Sequence, residues 1–231
     1  MPLDRSLIAS LPQFAALDDD ALSTVMREAR SMRFPKDAAV FEQGAPSTSF
    51  FLLLHGHLRV FKLTPDGRQV VIRFVTPGEL FGIAITMGHE TYPATAAAVE
   101  DSVVLVWPNG AWESLAEKVP ALSAVMMKTI GKRLEDSHTR VVEMSTQQVE
   151  RRVAHAVLRL AGRAGRKTDE GILIDLPLSR QDIAEMTGTT LYTVSRLISA
   201  WESAGYVRAG RQKLLVVDAH GLFMLAEGRE G

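Results

Sequence analysis

Apolar and polar positions change their rhythm twice along the chain. Acidic Asp18, Asp19 and Asp20 precede Ala21, Leu22, Val25 and Met26 at three-to-four spacing, which predicts a short amphipathic packing helix. From about Arg33 to Pro108, short β-rich runs (40–41, 50–54, 58–63, 70–75, 94–99 and 103–107) alternate with turn residues. The breaks are Gly44-Ala45-Pro46, Gly56, Pro65-Asp66-Gly67 and Pro77-Gly78. Pro-Asp-Gly between two such runs predicts a hairpin, because Pro fixes one turn angle and Gly allows positive φ. Many short strands at this spacing predict a sandwich or barrel.

From Ala111 the pattern turns helical. Asn109 or its neighbours cap a helix reaching Lys118, and Pro120 suits the first turn of a longer one. Val119, Leu122, Met126, Ile130, Leu134, Val141 and Met144 keep a narrow apolar stripe, with small Ser137 in the gap. Such a stripe fits a coiled-coil seam, and its length exceeds what a small β-domain needs to cover itself. A further helix spans 147–164 and ends in Gly162-Arg163-Ala164-Gly165-Arg166-Lys167, which reads as a flexible basic loop. Ile172, Ile174 and Leu176 alternate as in a strand. The expected organisation is a β-rich domain over 1–118, a dimerisation helix over 119–146 and a third region over 147–231.

That third region carries the candidate chemistry. Ser179 with Asp182 three residues on is a capping-box signal, followed by apolar Ile183, Ala184 and Met186 and a break at Gly188. A second helix over 190–204 stops at Gly205, and runs at 206–207 and 214–217 flank a turn at Gly210. Helix, turn, helix and hairpin predict a winged helix-turn-helix, whose second helix enters the DNA major groove. Leu191, Val194, Leu197, Ile198 and Trp201 supply its inward stripe. Thr189, Thr190, Tyr192, Thr193, Ser195 and Arg196 supply outward hydrogen-bonding groups. Arg196 can grip guanine O6 and N7 with both arms, Ser195 and the threonines can reach phosphates or base edges, and Arg180 stands where it meets the backbone. Arg208, Arg211 and Lys213 on the wing suit phosphate contacts.

Composition narrows the rest. The chain has 231 residues, 26 Lys and Arg against 27 Asp and Glu, a net charge of −1, and no cysteine. No apolar run approaches the ~18–20 residues that cross a bilayer, and Met1–Arg5 lacks a signal-peptide pattern, so a cytoplasmic protein without membrane contact is expected. Near-neutral charge argues against a nucleic-acid partner only as an average. Arg151, Arg152, Arg159, Arg163, Arg166 and Lys167 face only Glu150 over their stretch, and local charge is what meets phosphate. The absence of cysteine removes disulfides, thiolate metal sites and iron–sulfur clusters together.

The whole chain resembles the CRP/FNR family of bacterial transcription regulators. Leu53-Leu54-His55-Gly56-His57-Leu58-Arg59-Val60, Pro65-Asp66-Gly67 and Pro77-Gly78-Glu79-Leu80-Phe81-Gly82 resemble its β-roll. Leu178-Ser179-Arg180-Gln181-Asp182-Ile183-Ala184 and Thr193-Val194-Ser195-Arg196 resemble its DNA-binding motif. The resemblance implies an α+β chain: an N-terminal double-stranded β-helix (jelly-roll, cyclic-nucleotide-binding-like), a long dimerisation helix and a C-terminal winged helix-turn-helix. It implies a homodimer on a palindromic operator in double-stranded DNA, RNA polymerase as partner, and an effector pocket at Phe81, Ile83, Tyr92 and Thr95. Many relatives carry Glu three residues before the serine, where this chain has Tyr192.

The resemblance also narrows the signal. In cAMP-binding relatives a Glu follows the second glycine and an Arg enters the next strand; here Ile83 follows Gly82, and Tyr92-Pro93-Ala94-Thr95 contains no Arg. Burying a phosphodiester without its cation costs several kcal/mol, so a cyclic nucleotide is not expected. Segments 91–99 and 186–196 resemble the Cys-free, nitric-oxide-responsive DNR/NnrR branch, which implies nitric oxide sensing through haem. An axial ligand would come from His, Met or Tyr; His89 stands near Met87 and Tyr92.

A rival reading starts from His55-Gly56-His57. On one strand these side chains share a face, as in cupin metal sites, which would make the chain a cupin-like metal-dependent enzyme with a C-terminal interaction module. The carboxylate that completes such a site is missing from the following Leu58-Arg59-Val60-Phe61-Lys62. No nucleophile elbow, phosphate loop or paired carboxylate occurs, so no catalytic or metal residue is expected.

Overall fold

The computed structural model describes residues 8–9, 11, 14, 17–84 and 87–229. It divides into two units, one of residues 1–63 and 73–136, the other of 64–72 and 137–231.

In the first unit, α1 (Asp19–Arg27) opens as its acidic triplet predicts. The Asp18 carboxylate accepts from the Ala21 amide at 2.8 Å, and Leu22 and Val25 are buried. Eight strands follow: β1 (Arg30–Phe34), β2 (Ala39–Phe41), β3 (Ser49–His55), β4 (Leu58–Leu63), β5 (Gln69–Val75), β6 (Leu80–Phe81), β7 (Thr95–Ala98) and β8 (Ser102–Pro108). They form two four-stranded sheets, β1-β8-β3-β6 and β2-β7-β4-β5. Strands close in sequence pass from one sheet to the other, giving the expected jelly-roll.

The apolar run at 50–54 has a physical reason. On β3, Phe51 and Leu53 join Val104 of β8 and Leu58, Ala96 and Ala98 of the second sheet in one core. Phe50 and Leu52 point the other way and join Leu105, Trp107 and the helices in a second core. A strand buried on both faces loses polar alternation. The Trp107 indole stacks on Phe50 with ring centroids 5.3 Å apart and donates to the Val25 carbonyl at 2.8 Å, so α1 is pinned to the sheet. Strand β1 departs from the expected start near Arg33. Three of its five residues are polar and four are exposed, and what holds them is the antiparallel ladder to β8, from Arg30↔Val106 to Phe34↔Ser102.

After α2 (Trp112–Lys118) comes α3 (Pro120–Thr146). The apolar stripe expected of one seam divides here. Val119, Leu122 and Met126 are buried in the first unit's own core, and Ile130 packs against it. Leu134 (55% exposed), Val141 (64%) and Met144 (48%) stay exposed, and Met127 (69%), which the stripe did not include, joins Leu134 and Val141 at a spacing of seven.

In the second unit, α4 (Val149–Ala164) buries Val153, Ala154, Ala156, Val157, Leu160 and Ala161. A sheet of order β11-β12-β10-β9 contains β9 (Gly165–Thr168), β10 (Gly171–Ile174), β11 (Val207–Gly210) and β12 (Lys213–Val216). The segment expected to be a flexible basic loop is instead the end of α4 (162–164) and the first residues of strand β9 (165–167), which pairs with β10 from Gly171↔Thr168 to Ile174↔Gly165. The two helices of the expected helix-turn-helix are α5 (Arg180–Thr187) and α6 (Leu191–Ser203). A last helix that the patterning did not show, α7 (Ala219–Glu227), is capped by Asp218 and buries Leu222 and Ala226. Among the described residues no helix is long and apolar enough to cross a membrane.

Candidate nucleic-acid interface

The start of α5 is a capping box. The Asp182 amide donates to the Ser179 hydroxyl at 3.0 Å, and the Ser179 amide donates to the Asp182 carboxylate at 2.9 Å. The helix stops at Gly188, whose φ of +63° is the left-handed conformation that favours glycine. Thr190 then caps α6, its hydroxyl accepting from the Thr193 amide at 3.1 Å. Val194, Leu197, Ile198 and Trp201 are buried on one face of α6, and Trp201 Nε1 donates to Glu150 Oε1 at 3.1 Å. Three- and four-residue spacing puts Tyr192, Arg196 and Ser199 on the opposite face, and all three are exposed.

Arginines hold the turn between the helices. The last carbonyls of a helix lack internal partners and carry its negative dipole end. Arg140 of α3 donates to the Met186 carbonyl at 2.8 Å, and Arg152 of α4 to the Thr187 carbonyl at 3.3 Å. The same Arg140 guanidinium donates to the Val71 carbonyl at 3.3 Å and to that of Ile72, and Gln69 Nε2 donates to Glu185 of α5 at 2.7 Å. Sequence patterning did not single out Arg140; no linear spacing relates it to position 186.

Several of the residues expected to touch DNA also have partners within the fold. The Thr190 and Thr193 hydroxyls share a 2.9 Å hydrogen bond at the helix cap. Thr189 is half-buried in the turn, its amide donating to the Ala184 carbonyl. Arg180 is half-buried on the first turn of α5, Ser195 is half-buried, and Arg211 is exposed at the wing tip beside Gln212, which has positive φ. The basic stretch counted toward phosphate is partly structural. Arg151 donates to the Ala226 carbonyl, Arg152 to those of Thr187 and Gln147, and Arg159 pairs with buried Glu143. Arg208 pairs with Glu170 at 2.8 Å. Arg196, Arg211 and Lys213 remain exposed cations.

In the first unit, Phe81 and Tyr92 come together with Phe41 and Phe51 in the core between the sheets. The Phe41 and Tyr92 rings stack at 4.0 Å and those of Phe51 and Phe81 at 5.1 Å. The Tyr92 hydroxyl donates to the Ser49 carbonyl at 2.7 Å and accepts from its amide at 3.1 Å. Ile83 is not with them; it is buried in the other core. Thr95 Oγ1 accepts from the Gln43 amide at 3.0 Å.

His55 and His57 do not share a strand face. Gly56, at φ +81°, ends β3, and a Cβ there would lie 2.7 Å from the Asp101 carbonyl oxygen. His55 is exposed, while His57 Nδ1 shares a 2.5 Å hydrogen bond with Glu100. Among the described residues no cluster of three His, Asp or Glu could hold a metal.

Residues 31–119 match the cyclic nucleotide-binding domain family and residues 151–224 the Crp-like helix-turn-helix domain family. The transcriptional activator protein FnrA of Stutzerimonas stutzeri is 28% identical over 211 residues, covering 91% of this chain and 85% of that protein. The structure of a CooA mutant from Carboxydothermus hydrogenoformans matches with a TM-score of 0.77 at 25% identity, over 94% of this chain and 95% of that one. FixK2 from Bradyrhizobium japonicum matches in fold with a TM-score of 0.76 at 23% identity, over 85% and 96%.

Proposed function

The chain belongs to the CRP/FNR family of DNA-binding transcription regulators and is not an enzyme, and we propose that it acts as a homodimer on a two-fold symmetric operator. The observation that carries this reading is the exposed Tyr192–Arg196–Ser199 face of α6, directly opposite the buried stripe that seats the helix. The partner for the seam of Met127, Leu134 and Val141 is the same seam of a second copy. Two recognition helices would then enter major grooves about 34 Å apart. Activation, supported by the name of the relative FnrA, would make RNA polymerase the further partner. The test is selection of duplexes from a random library by the full chain. Inverted repeats one helical turn apart support the reading; enrichment of no sequence would overturn it.

The same reading does not expect a cyclic nucleotide as the signal. The core between the sheets is filled by Phe41, Phe51, Phe81 and Tyr92, an apolar setting for a phosphodiester anion. Nitric oxide is the signal that the DNR/NnrR-like segments favour. The residues present do not fit a haem in that core, because the aromatic stack fills it and the Tyr92 hydroxyl is committed to Ser49. A Soret band saturating at one equivalent in a haem titration of the full chain would overturn that statement.

A further inference from the structure

Tyr192 is 77% exposed, the most exposed large hydrophobic side chain among the described residues. It stands in the first turn of α6, where a recognition helix meets base edges. Its neighbour Leu191, 48% exposed, leaves a second apolar group open beside it. An aromatic ring and a leucine held in water at a helix start gain nothing for the fold, since the buried stripe of α6 is complete without them. Their chemistry differs from that of Arg196, which offers only donors. In the major groove the one apolar feature of a base edge is the thymine 5-methyl group.

We propose that Tyr192, one helical turn before Arg196 on the same face of α6, is a specificity-determining residue that reads a thymine methyl in each half-site. The ring covers the methyl, and Leu191 closes the flank of that contact. Arg196 reads guanine one turn further along the helix. The half-site therefore holds an apolar contact and a bidentate one side by side. This inference rests on the DNA-binding reading above. A competing role for Tyr192 is to brace the Arg196 guanidinium across the i, i+4 spacing, with no base contact of its own.

Deoxyuridine, which lacks only the methyl, separates these roles. A duplex selected by the full chain is resynthesised with each half-site thymine replaced in turn. At one thymine, affinity should fall about fourfold, the share of one methyl group withdrawn from water. Tyr192→Phe should keep that sensitivity. Tyr192→Ala should bind both duplexes equally, with circular dichroism checking its fold. If no deoxyuridine substitution weakens binding, or if Tyr192→Ala keeps the full sensitivity, the methyl contact is overturned while DNA binding stands. If the full chain selects no duplex at all, the DNA-binding reading and this inference fall together.

Discussion

Gly188 lies against Met144: a Cβ placed on the glycine would sit 2.7 Å from the terminal methyl of the methionine. The end of α3 thus presses on the turn that sets α6 relative to α5. The positive φ favours glycine at this point, whereas the methionine methyl is the free end of a flexible side chain, 48% exposed, that can move aside. Gly188→Ala should cost about 1–2 kcal/mol through the left-handed backbone alone. Gly188→Asn should cost less, because its short polar side chain tolerates that conformation. Adding Met144→Ala to Gly188→Ala should recover little of the loss, because the methionine end can already move aside. Chemical denaturation of the full chain measures all three, and a Gly188→Ala variant as stable as the parent would refute the argument.

Local rules were visible in the sequence wherever one residue type answers one backbone need. Ser179 with Asp182, Gly188 and the Pro-Asp-Gly turn are such cases, and so is the strand run at 50–54 once both faces are buried. Strands β1 and β9 were not visible, because backbone ladders rather than side-chain alternation hold them. The stripe on α3 showed an apolar face but not what covers it: neighbouring Met126 and Met127 have opposite fates. Counting charge cannot tell an arginine that caps carbonyls, such as Arg152, from one left exposed, such as Arg211.

That division of α3 makes a paired prediction. Leu134→Glu places a charge in the exposed seam and should yield a monomer that keeps its secondary structure and melts as a folded chain. Met126→Ala removes a side chain only 2% exposed and should cost about 2–5 kcal/mol while leaving the oligomeric state unchanged. Sedimentation velocity with thermal unfolding distinguishes the two. A dimeric Leu134→Glu variant would place the dimer contact elsewhere.

Arg196 and Arg211 should fail differently. Arg196→Ala should lose about 1–3 kcal/mol on the selected duplex and relax specificity at one base pair. Arg211→Ala, at the wing tip, should weaken selected and random duplexes alike and lower the salt dependence by about one phosphate. Fluorescence anisotropy over a salt series reads both. Equal losses on random DNA for the two variants would remove the base-reading role of Arg196.

The aromatic core bears on the signal. Gly82 has φ +65°, and a Cβ there would lie 2.6 Å from Phe51 and 3.1 Å from Phe41, so the stack and the glycine fix one another. A cyclic nucleotide entering between the sheets would have to part these rings and bury its phosphate among apolar groups, at a cost of several kcal/mol. cAMP and cGMP should therefore leave DNA affinity unchanged, and isothermal titration of the DNA-free chain should show no saturable heat. Gly82→Ala should disturb the core without creating nucleotide binding, seen as a lowered melting temperature. A nucleotide that raised operator affinity in the parent protein would show that the stack opens, and would overturn the reading of this interior as closed to anions.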